Sequence, residues 1–116
     1  MWVKINFKPV TLILILFTLL SCGSTVKSRN EAQKEFEAKL ASLNSFLNGE
    51  PDTSLRIIGT ISFFEKVTGI MSESDGSDIG KFNPTKQDYL NWQQWYEVNK
   101  TKIYLDSDTG KIAVKQ

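Results

Sequence analysis

Residues 28–51 read SRNEAQKEFEAKLASLNSFLNGEP, and this stretch decides the fold. Within it Ala32, Phe36, Leu40, Leu43 and Leu47 follow one another at spacings of 4, 4, 3 and 4. An α-helix turns once in about 3.6 residues, so these five side chains share one stripe. Lys34, Glu35, Lys39 and Asn44 fall off that stripe. At the front, Ser28 and Glu31 have the spacing of a capping box, in which a hydroxyl and a carboxylate each satisfy a free backbone N–H. At the back, Gly49 and Pro51 end the pattern. The reading predicts a helix over 29–48 with one apolar face in search of a partner.

The next segment supplies one. Leu55, Ile58, Ile61, Phe63 or Phe64, and Val67 recur at helical spacing, and Gly69 offers a stop. Asp52, Thr53 or Ser54 is placed to cap it. The β-branched residues and Gly59 speak for a strand, but strands usually end near five or six residues and this run is longer. Residues 72–81 hold serines, glycines and three acids and read as a loop. Asn83-Pro84-Thr85 then opens a third helix, capped by Asn83 or Thr85, because proline's missing N–H costs nothing in a first turn. Tyr89, Trp92 and Tyr96 form its stripe, with Leu90 and Trp95 beside it. The period then changes. Ile103-Tyr104-Leu105 and Ile112-Ala113-Val114 flank an Asp/Gly turn, which predicts a β-hairpin. The expected fold is mainly α: three helices closing on one core, helix two the most buried, with a short C-terminal hairpin at the side.

Upstream of the deciding stretch the chain is different. Lys4 and Lys8 precede an apolar run from Val10 to Leu20, relieved only by Thr11 and Thr18. Eleven residues of helix rise about 16 Å, roughly half of a ~30 Å hydrocarbon core. That length matches the apolar region of an export signal better than a membrane span. The run ends in Leu19-Leu20-Ser21-Cys22-Gly23, which resembles the lipobox of bacterial lipoproteins: an aliphatic residue, a small residue and the cysteine that becomes the first residue of the mature chain. Leu20 is bulkier than the residue usual at its position. The resemblance implies a signal peptide over 1–21, a diacylglycerol and fatty acyl chain such as palmitate on Cys22, and a short tether over 22–27. The folded domain then spans 28–116. Buried acyl methylenes contribute about 0.8 kcal/mol each, so several chains hold a protein on a membrane. The expected location is the cell envelope, on the outer membrane of a Gram-negative bacterium.

Composition removes several function classes. The 116 residues contain no histidine and one cysteine. Without imidazole there is no Ser-His-Asp or Cys-His device, and zinc has no thiolate or imidazole set to bind. Removing Lys4 and Lys8 from the 14 basic residues leaves 12 against 13 acidic ones, so nucleic acid is not an expected partner. Glu73, Asp75 and Asp78 suggest a cation loop, but placing Gly76 at the sixth position of a calcium loop puts Phe82 at the twelfth, where a carboxylate belongs. A loop starting at Asp106 reaches its twelfth position only past Gln116. Solvated turns account for both clusters. No metal, no cofactor and no catalytic residue is expected, and the protein is read as a non-enzyme.

One constellation remains. Trp92, Trp95 and Tyr96 sit at i, i+3 and i+4, on one helical face. Their first role is to fill the core of a small domain, with Trp95 at its rim. Their second is an aromatic surface, Trp95 and Tyr96, that binds an envelope glycan or peptidoglycan fragment together with the acidic loop.

Residues 63–70 (FFEKVTGI), Gly80 to Thr85, Trp92-Gln93-Gln94-Trp95-Tyr96 and Ile103-Tyr104 resemble a segment of exported bacterial proteins that accompanies HEAT-like helical repeats. There a Leu-Thr-Gly helix end precedes a glycine-containing loop and a Trp-x-x-Trp helix; here Val67 replaces the leucine. The resemblance implies a helical hairpin and no activity. The sequence as a whole predicts a membrane-anchored lipoprotein that binds a protein partner in the envelope.

Overall fold

The computed structural model describes residues 8–52, 55–74, 76 and 79–116, with side chains from Thr25 onward. It contains three helices, α1 (Lys8–Leu47), α2 (Arg56–Thr68) and α3 (Lys86–Asn99), followed by strands β1 (Ile103–Leu105) and β2 (Ile112–Val114). The strands pair antiparallel in the register Ile103↔Val114, Tyr104↔Ala113 and Leu105↔Ile112. The mainly α class with a C-terminal hairpin is the class the periodicities predict.

The core is the predicted stripe meeting its partners. Ala32, Phe36, Leu40 and Leu43 of α1 are buried with Ile57, Ile61 and Phe64 of α2, Trp92 and Tyr96 of α3, and Ile103 of β1. Phe36 is the hub. Its ring lies 5.1 Å from Phe64 edge-on, 4.7 Å from Tyr96 and 5.7 Å from Trp95 in stacked geometry. Trp92 stacks on Phe64 at 4.8 Å. Aromatic pairs at such separations add to the apolar burial itself. Among the described residues α2 is the most buried helix, as expected: only Arg56, Gly59 and Lys66 of it are exposed. Leu55, expected on its stripe, is the exposed N-cap residue, in a left-handed conformation (φ 55°).

The largest departure from expectation is α1. It begins at Lys8 and runs unbroken through residues 22–27, where the lipobox resemblance implies a tether, and through Ser28, where the local spacing predicts a cap. From Val10 to Glu50 there is no proline, and Gly23 alone costs only about 1 kcal/mol relative to alanine. Ser28 has a stronger claim on its hydroxyl than capping. Its Oγ donates to the Leu105 carbonyl at 2.8 Å and accepts from the Leu105 N–H at 3.0 Å. A mid-helix serine thus satisfies the outer edge of β1. Gln33 repeats the device with the Lys100 carbonyl at 2.7 Å. These bonds bring β1 onto α1.

Helix ends follow local chemistry. After α1, the Gly49 N–H donates to Phe46 O and the Glu50 N–H to Ser45 O, with Gly49 at φ 95°. That is a Schellman closure, which requires the left-handed conformation glycine adopts freely. Asp52 caps α2, its two carboxylate oxygens accepting from Arg56 N–H at 3.1 Å and Ile57 N–H at 2.8 Å. Thr53 and Ser54, the other candidate caps, lie outside the described residues. Thr85 caps α3 in a full capping box with Asp88. Gly80, at φ 117°, lies so close to α2 that a Cβ there would meet Ile58 Cγ2 at 2.9 Å.

Candidate functional site

Polar side chains inside this domain are engaged in holding elements together. Asp88 is 1 % exposed. Its Oδ2 accepts from the Thr85 N–H at 3.0 Å and from Ser72 Oγ at 2.5 Å, and its Oδ1 from the Glu73 N–H at 2.8 Å. The same carboxylate that completes the α3 cap therefore pins the loop after α2. Glu65 and Lys81 close the other side of that loop. The lysine donates to Glu65 Oε2 at 2.6 Å, and the same oxygen accepts from the Ser72 N–H at 2.9 Å. The Ser72 hydroxyl donates to the Asp88 carboxylate, and the Lys81 ammonium donates to the Ser72 carbonyl at 3.3 Å, so the serine is held on both sides.

The aromatic trio divides. Trp92 is fully buried and its indole N–H donates to the Ile70 carbonyl at 3.0 Å. Tyr96 is 4 % exposed and its hydroxyl donates to Glu37 Oε1 at 2.8 Å. Burial, then the hydrogen bond and the negative charge of Glu37, push the Tyr96 phenol well above its ordinary range. Tyr96 is thus a core residue and not part of an open surface, because the ring that would stack on a ligand already stacks on Phe36. Trp95 is half-buried over Phe36, and its outer edge borders a shallow hollow with Ile70 and Val98. The expected two-residue platform is reduced to that edge.

Of the acidic loop, Glu73 is described and accepts from Thr85 Oγ1 at 3.3 Å. Asp75 and Asp78 lie outside the described residues. In the hairpin turn, Asp106 Oδ1 accepts from the Asp108 N–H at 2.9 Å, a local turn bond. Among the described residues no group of three acids or cysteines is placed to hold a metal ion. Cys22 falls within α1, and residues 1–7 of the expected signal lie outside the described residues. Among the described residues no helix is long and apolar enough to cross a membrane.

A feature that the sequence reading passed over is a groove between α1 and α2. Two adjoining cavities of about 500 Å³ and about 310 Å³ share Glu35 and Gly59. Lys39, Leu55 and Arg56 lie toward one end, and Phe63, Lys66 and Lys111 toward the other. Its sequence signal was Gly59, a glycine inside a helix with no turn to make.

No protein-family model, curated protein or solved structure matches the chain.

Proposed function

We propose that this chain is a bacterial lipoprotein, anchored through an acylated Cys22, whose folded domain is a non-catalytic module that binds a protein partner in the cell envelope. The observation that carries the reading is the apolar run Val10–Leu20 ending in Leu19-Leu20-Ser21-Cys22. The engagement of Asp88, Glu65 and Tyr96 in structural bonds supports a binding role over a chemical one.

The test is expression in a bacterium with radiolabelled palmitate, followed by membrane fractionation and mass measurement of the N-terminus. The wild type should carry label, sediment with membranes and begin at Cys22. Cys22→Ser should carry no label and leave the membrane fraction. A product with Met1 intact, or an unlabelled wild type, refutes the anchor.

A further inference from the structure

The groove between α1 and α2 is built for an occupant. Gly59 is the fourth residue of α2, exposed, in a helix where glycine is the poorest former after proline. The usual reasons for a glycine are missing there. Its φ is not in the left-handed region, and a Cβ built on it would meet nothing within 4 Å. A Cβ would fit, and alanine there would strengthen the helix. What a side chain would do is fill the junction where the two cavities meet. The bare backbone at that point keeps one continuous trough open.

Charge says what kind of ligand fits. The trough is lined by Lys39, Arg56, Lys66 and Lys111 against one acid, Glu35. Among the described residues Lys39, Lys66 and Lys111 form no ion pair; the salt bridges run elsewhere, from Lys81 and Lys100. Between the cations the floor is apolar, with Leu55 at one end and Phe63, Val67 and Ile112 at the other. From Leu55 to Val67, α2 rises about 18 Å, the length of five or six extended residues at about 3.3 Å each. The Phe63 ring is not free for sugar stacking: Lys39 Nζ stands 5.6 Å over it, and Phe36 and Phe64 hold it from the core side.

We infer that the α1–α2 trough over Gly59 binds a short extended acidic peptide segment, its carboxylates meeting Lys39, Lys66 and Lys111 and its apolar side chains resting on Leu55, Val67 and Ile112. This deepens the binding role proposed above and rests on it, by naming the surface and the chemistry of the partner segment.

The experiment uses the full chain purified in detergent and a fluorescein-labelled heptapeptide alternating leucine and glutamate, read by anisotropy. Binding should saturate and weaken about tenfold or more between ~50 mM and ~500 mM salt, because exposed charges are screened at the higher strength. Gly59→Ala should raise Tm yet weaken binding, and Gly59→Leu should abolish it. Lys66→Glu with Lys111→Glu should weaken it about tenfold or more, with the melting curve retained. Equal affinity for the matching leucine–lysine peptide overturns the charge argument. Gly59→Leu binding as well as the wild type overturns the trough. Binding of oligogalacturonate in place of the peptide overturns the peptide assignment. Palmitate label is scored on the same preparation, so failure of the trough is distinguished from failure of the anchor.

Discussion

Replacing Asp88 with alanine removes one carboxylate and strands three donors at once: the Thr85 N–H, the Glu73 N–H and the Ser72 hydroxyl, at 3.0, 2.8 and 2.5 Å. A hydrogen bond to a charged acceptor contributes about 1.5 kcal/mol or more, and a buried donor left without a partner costs about 1 kcal/mol or more. Some of the stranded groups will reach water, since the loop they belong to is only partly covered. The expected loss is about 3–5 kcal/mol, a large share of the roughly 5–15 kcal/mol that holds a domain of this size. Thr85→Ala makes the discriminating comparison. It removes the reciprocal bond from the Asp88 N–H at 3.0 Å and the exposed bond to Glu73 at 3.3 Å, for a loss of about 1 kcal/mol. Urea unfolding followed by tryptophan fluorescence measures both, since Trp92 lies in the core. Amide exchange adds the local signature, because Glu73 N–H should lose protection in the Asp88 variant. A loss below about 1 kcal/mol for Asp88→Ala, or equal losses for the two variants, would refute the claim that this carboxylate holds both the loop and the helix.

Other outcomes follow from the same geometry. Ser28→Ala should cost about 1–2 kcal/mol and speed exchange of the Leu105 amide while leaving α2 amides protected, measured by hydrogen exchange. Phe36→Ala should cost about 3–5 kcal/mol in chemical denaturation, since rings from both α2 and α3 pack on it. The raised phenol of Tyr96 makes the folded state hold its proton where the unfolded chain, with a pKa of about 10, gives it up. Its contribution is therefore complete below about pH 10 and is lost as pH climbs above that value. Tyr96→Phe should flatten that alkaline decline in Tm relative to wild type; identical slopes would count against the burial argument.

The helical stripes were legible because each side of the core repeats at 3.6 residues and each helix ends at a glycine, a proline or a cap. Phe36, Leu43 and Trp92 could be placed inside from spacing alone, whereas spacing leaves Phe63 and Phe64 as alternatives and packing buries Phe64. The start of α1 was not legible, because Ser28 carries a local capping signal whose winning partner, Leu105, is 77 residues away. The same limit applies to Glu65 and Lys81, 16 residues apart and brought together only by the path of the loop. Asp88 was readable in principle: Thr85-Lys86-Gln87-Asp88 is a capping box with aspartate at its third helical position. Its second task, gripping Ser72 and Glu73, depends on tertiary placement. Trp95 and Tyr96 share a face, and spacing cannot say that Phe36 and Glu37 would claim the tyrosine. Gly59 was noticed as a flaw in a helix, while the trough it opens requires α1 to be in place.

The bonds joining Ser28 to Leu105, Gln33 to Lys100 and Glu37 to Tyr96 link points 77, 67 and 59 residues apart. Contacts of that span close late, because a long loop must be immobilised before they return any energy. The first helix of the domain thus waits for α3 and β1. A nascent chain stopped short of Ile103 lacks the strand that Ser28 satisfies and leaves part of the α1 stripe uncovered. Clipping off the final dozen residues should accordingly cost far more than their modest burial suggests.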